Sequence, residues 1–117
     1  MSLAGVADLR RARELELSNT VVAELLGGSP AEVTERYRVA SPIERLPLGL
    51  PQYLVHGTDD PIVPFEISER YTLRAKEEGD DAQLVPIDGA GHFELIDPRS
   101  VAWPSVAGAV LNILEPN

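Results

Sequence analysis

The stretch QYLVHGTDDPIVP, Gln52 to Pro64, decides how this chain folds. Gln52 to Gly57 is a short β-favouring run closed by a glycine, which reads as a strand. It runs into an acid-bearing turn, Thr58-Asp59-Asp60, and then into a helix start at Pro64. The segment PFEISERYTLRAKEEG that follows puts Ile67, Tyr71 and Ala75 on one stripe, with Lys76 in the last turn and Gly79 as the stop. Ala82 to Ile87, AQLVPI, is the next strand, and it ends in a second turn, DGAGHFELIDP, Asp88 to Pro98, which carries a histidine. Two strands separated by a helix cannot be hairpin partners, so they are expected to lie parallel with a right-handed crossover.

Working outward, Leu3 to Val6 (LAGV) is a short apolar run expected as a strand. Ser18 to Leu26 spaces Val21 with Leu25 and Val22 with Leu26 as a helix does, and Gly27 can stop it. Pro30 to Ala40 reads as a further helix, with Ser29 as N-cap and Glu32 completing a capping box. Ser41 to Pro51 holds three of the ten prolines and reads as an extended connector. At the end, WPSVAGAVLNIL predicts a helix with Pro104 at its start and Val106, Val110, Ile113 and Leu114 on its buried side. The predicted order is strand, two helices, strand, helix, strand, helix: an α/β domain with about three parallel strands and flanking helices.

Sites in an open parallel sheet form at the carboxyl ends of its strands. The strand ending at Val55 delivers HGTDD to that edge and the strand ending at Ile87 delivers DGAGH to it. Adjacent strands lie about 4.8 Å apart, so a carboxylate on one turn can reach an imidazole on the other. Such a bond fixes the tautomer of the histidine and stabilises the imidazolium that forms when the ring accepts a proton. Gly57, Gly89 and Gly91 would give the two turns backbone conformations that other residues resist. Asp60 has a structural alternative, capping the helix ahead of Pro61 and Pro64, but the two matched turns favour the site role. Asp59 is expected to face solvent, His56 to be structural, and Trp103 to pack against the last helix. The run KEEGDD, Lys76 to Asp81, reads as a solvated helix end. A metal site from His56, Asp59, Asp60 and His92 has suitable donor atoms but matches no helical or turn ligand spacing.

HGTDDPIVP followed by GAGHF, with a helix between, resembles the C-terminal half of α/β-hydrolases. The branches it looks most like are the prolyl-oligopeptidase-like peptidases and the feruloyl-esterase-like carboxylesterases. The resemblance implies that Asp60, fifth in H-G-x-x-D, is the triad acid and that His92, in G-x-G-H-F, is the triad base. It makes LAGVADL similar to the strand after the nucleophile helix, and residues 17–50 similar to a cap with its connector, within a single domain over 1–117. The family's nucleophile sits in G-x-S-x-G on a strand-to-helix turn, and no such motif occurs here. The nearest imitation, GGSPA, fails because the oxyanion hole needs the N–H of the residue after the serine, and Pro30 has none. Ser2, Ser18, Ser41, Ser68, Ser100 and Ser105 lack glycine flanks. The expectation is therefore a serine-hydrolase portion, acting on a carboxylic ester or peptide, whose nucleophile would precede Leu3 and which is inactive alone.

Composition narrows the rest. The chain is 44% hydrophobic and 25% charged, a globular balance. Ten basic against nineteen acidic residues give a net charge of −9, which disfavours nucleic acid and anionic membranes as partners. The N-terminus lacks the charge order of a secretory signal, and with no cysteine in the chain a cytoplasmic location is expected. No cofactor is expected, because there is no phosphate-cradling glycine loop and no cysteine-based metal spacing. If LAGV is an unpartnered edge strand, it invites a second copy, so a homo-oligomer is expected. The alternative to a hydrolase portion is a non-catalytic α/β domain that self-associates through that edge.

Overall fold

A computed structural model describes residues 1–115. Three parallel strands form one sheet in the order β1-β2-β3: β1 is Ser2–Leu3, β2 is Gln52–Gly57 and β3 is Ala82–Ile87. The β2–β3 register runs from Gln52 opposite Ala82 to Gly57 opposite Ile87, so both strands end level with each other. This is an α/β architecture with an open parallel sheet.

The middle strand is buried on both faces, and its alternation sorts the core into two halves. Val55 points into a cluster with Ile87, Leu95, Ala102, Val106 and Ala109. Leu54 points the other way, against Val63, Ile67, Tyr71 and Ala75. The helices that close these faces are α5 (Trp103–Leu114) and α4 (Glu66–Glu77). Covering a side chain such as Ile67 completely stabilises the fold by about 1.5–3 kcal/mol. Trp103 packs against the α5 cluster, as expected.

Three helices connect β1 to β2, not two: α1 (Leu9–Glu14), α2 (Val21–Leu26) and α3 (Thr34–Ala40). They share their own small core of Ala12, Val22 and Tyr37. Several expectations are corrected in this region. The strand stops at Leu3 because Ala4 turns into the left-handed region (φ 47°), so the run does not continue to Val6. Helix α2 begins at Val21 because Ser18 and Asn19 are left-handed as well, at φ 48° and 62°. The reciprocal Ser29–Glu32 hydrogen bonds do form, at 3.3 and 3.4 Å, but they close a turn, and the helix begins only at Thr34. Part of the connector winds into a short 3-10 helix, Pro42–Arg45.

On α5 the inward positions are Val106 and Ala109, with Ala102 buried just before the helix, whereas Ile113 and Leu114 are exposed. The helix approaches the sheet through its small residues. Asp80 overturns the reading of KEEGDD as uniformly solvated. It is buried, and its carboxylate accepts from Leu48 N–H (2.7 Å), Gly49 N–H (2.8 Å) and Gln52 Nε2 (2.9 Å). It thereby pins the connector to the start of β2. Among the described residues, no helix is long and apolar enough to cross a membrane.

Candidate active site

Because β2 and β3 end level, the turns after them lie side by side and are stitched together. Thr58 N–H donates to Ile87 O (3.0 Å), Asp59 N–H to Ala90 O (3.0 Å) and Gly89 N–H to Thr58 Oγ1 (2.8 Å). Gly57 has an ordinary φ and is needed for closeness alone. A Cβ there would sit 2.6 Å from Gly91 O and 2.7 Å from Ala90 C, and nearer still to Ala90 O. Of the three glycines expected to adopt unusual backbone angles, only Gly89 does, at φ 71°.

The stitching brings the two expected residues together: His92 Nδ1 lies 2.7 Å from Asp60 Oδ2. The Asp60 side chain is fully buried, while that of His92 is about a quarter exposed. Oδ1 of the same carboxylate accepts from Ile62 N–H and Val63 N–H, both at 2.8 Å. The two roles weighed for Asp60 therefore coexist, since one oxygen caps the turn and the other holds the histidine. Burial pushes the Asp60 carboxyl upward, but the bonds from His92, Val63 and Ile62 outweigh it and hold the group below its ordinary value. A carboxylate can only accept, so Nδ1 of His92 carries the proton, and the lone pair of the neutral ring is on Nε2. Nε2 has no hydrogen-bond partner among the described residues, and Phe93 stacks edge-on against the ring at 5.1 Å.

Asp59 is exposed, as expected. His56 is completely buried and structural, with a ring nitrogen 3.3 Å from Asp60 Oδ2. Its partner Ser68 escaped the sequence reading. The only signal was a pair of polar residues, Ser68 and Thr72, one turn apart beside the apolar stripe of α4.

The fold that carries these two turns is similar to solved structures. A thermophilic esterase from the Planctomycetes species Thermogutta terrifontis, Est2, is 30% identical, with a TM-score of 0.59 over 81% of this chain and 34% of its own. The same esterase phosphoramylated by tabun gives a TM-score of 0.63 at 28% identity, over 94% of this chain and 39% of its own. This chain carries part of an α/β-hydrolase fold. The chain spans little more than a third of the esterase it matches. It is also 32% identical over 82 residues to the non-reducing polyketide synthase Preu6 of Preussia isomera, and 34% identical over 82 residues to 5-methylorsellinic acid synthase of Aspergillus terreus. It spans only 4% and 3% of those two proteins. No protein-family model matches it.

Acid should reveal the Asp60 contacts in this α/β-hydrolase portion. A carboxylate whose folded value is depressed adds stability that is present above its unfolded value, about 3.9, and lost as pH falls through the folded value. Asp80 is depressed too, chiefly by Leu48 N–H and further by Gly49 N–H and Gln52, against the opposing effect of burial. Urea unfolding should therefore show little change from neutrality to about pH 4 and a steep fall below it. In Asp60→Asn that fall should be visibly shallower, and an unchanged slope would contradict the assignment.

Proposed function

We propose that this chain supplies the histidine base and its orienting carboxylate to a carboxylic-ester hydrolase whose nucleophile lies outside residues 1–117. The observation that carries this reading is the 2.7 Å bond from His92 Nδ1 to Asp60 Oδ2, which leaves Nε2 unoccupied. In that role Nε2 takes the proton of a nucleophilic hydroxyl and returns it to the leaving group, while Asp60 holds the ring and stabilises its charged form. Among the described residues no serine is in hydrogen-bond contact with His92: Ser41 accepts from Leu9 N–H, Ser68 meets His56, and Ser100 donates to Glu94 O. Ester chemistry is favoured over peptide chemistry because Est2, the structural neighbour above, is an esterase, solved also with propionate and butyrate bound. The helices within 17–50 are proposed as a cap over the substrate, and the absence of cysteine supports a cytoplasmic location.

The test has two arms. A fluorophosphonate probe should leave the 117-residue chain unlabelled. A longer polypeptide joining it to an upstream G-x-S-x-G segment should hydrolyse p-nitrophenyl propionate or butyrate. No upstream serine and no turnover would overturn the proposal.

A second reading, self-association, is supported by the flank of β1. That strand pairs only with β2 among the described residues. Beside it an apolar hollow of about 270 Å³ is lined by Val6, Leu48, Leu50, Leu54 and Tyr71. Two strand residues offer few edge hydrogen bonds, so this hollow would carry most of the association. Light scattering at tens of micromolar should show a dimer that Leu50→Asp converts to monomer; a monomer at every concentration would eliminate the reading.

A further inference from the structure

The acid–base reading leaves unused a second histidine beneath the Asp60 carboxylate. His56 is wholly buried on β2, and both its ring nitrogens are engaged. Nε2 lies 2.8 Å from Val63 O, and a carbonyl can only accept, so Nε2 carries the proton. Nδ1 lies 2.6 Å from Ser68 Oγ on α4, so the neutral ring accepts there from the serine hydroxyl. Val63 O thus fixes the tautomer, and Ser68 holds the ring in place by its bond to the other nitrogen. The same Nε2–H is 3.3 Å from Asp60 Oδ2, the oxygen that holds His92. Val63 is gripped at both ends, its N–H on Asp60 Oδ1 and its carbonyl on His56.

We infer that His56, locked by Ser68, is a positioning residue that keeps Asp60 Oδ2 turned toward His92. The inference rests on reading Asp60 and His92 as an acid–base pair. With Nε2 protonated and bonded to Val63 O, His56 turns a positive N–H edge toward the buried carboxylate at 3.3 Å, beside its three donors Ile62 N–H, Val63 N–H and His92 Nδ1–H. In the opposite tautomer its lone pair would face Val63 O and Asp60 Oδ2 together. That repulsion would push the carboxylate and the 62–63 turn away from the geometry that serves His92.

The chain has only two histidines, so ring-nitrogen NMR of histidine-labelled protein resolves them, with His92→Gln assigning the signals. The expected spectrum shows His56 as the Nε2–H tautomer and a His92 Nδ1–H proton slow to exchange with solvent. In Ser68→Ala the His56 ring loses its anchor on Nδ1, so its signals should broaden and the His92 Nδ1–H should exchange roughly tenfold faster. Ser68→Thr, which keeps the hydroxyl, should preserve both signals. Tyr71→Phe removes a different buried hydrogen bond from α4, to Gln52, and should leave the His92 signal in place. Unchanged exchange in Ser68→Ala, a lost signal in folded Ser68→Thr, or an equal rise in Tyr71→Phe would overturn the inference and leave His56 as a strand-to-helix tie. Failure of the hydrolase reading would show differently, as no ester turnover with the relay signals intact.

Discussion

Asp60→Asn, made in the longer ester-hydrolysing polypeptide, lowers kcat by about 10⁴-fold with little change in KM. The expectation follows from counting donors around one carboxylate. Oδ1 faces two backbone N–H groups and Oδ2 faces His92 Nδ1–H and His56 Nε2–H, so every contact needs an acceptor. An asparagine must aim its NH2 at one pair of donors or the other. Aimed at His92, it drives the ring to the tautomer with the proton on Nε2, and that nitrogen can no longer take a proton from a nucleophile. Aimed at the 62–63 turn, it opposes Ile62 and Val63 N–H and loosens the turn. Either way the negative charge that stabilises the protonated ring is lost while the surfaces that bind substrate remain, which is why the loss falls on kcat. Asp59→Asn is the matched control, since its side chain is exposed one position away, and it should leave kcat within about twofold. Equal losses from the two variants would remove Asp60 from the role proposed for it.

Residues 52–115 were far more legible in the sequence than residues 1–51, and the difference is physical. β2, β3, α4 and α5 each press a periodic face on the sheet, and their ends carry glycine or proline, so pattern and packing agree. Helix α1 has only Ala12 fully buried within LRRARE. It is held by non-local polar contacts instead: Leu9 N–H to Ser41 Oγ across 32 positions, and Arg11 to Glu66 across 55. No window of sequence displays those. Asp80 is the same case, an acid in an acidic run whose partners are the amides of residues 48 and 49. The Asp60–His92 pair was legible because two matched turns announced it. The Ser68–His56 tie was not, because a serine on a helix says nothing about which buried ring it will meet.

Gly57→Ala is expected to destabilise the fold by about 2–4 kcal/mol and to lower Tm by more than about 10 °C. The added methyl would meet backbone at three atoms, Ala90 O, Ala90 C and Gly91 O, so no side chain can swing aside to make room. Relief requires moving the 88–91 turn, and that turn is tied down by Asp59 N–H on Ala90 O and Gly89 N–H on Thr58 Oγ1. Breaking those bonds gives up two of the links between the turns, and it also carries His92 away from Asp60. Stability and the acid–histidine contact should therefore fail together in this one variant. Gly89→Ala provides the contrast. Its φ is 71°, but nothing lies within 4 Å of the added carbon. It should cost about 1–2 kcal/mol of backbone strain, with the Asp60–His92 bond kept. If Gly57→Ala melts no lower than Gly89→Ala in a thermal scan, close approach of the two turns is not what holds this edge of the sheet together.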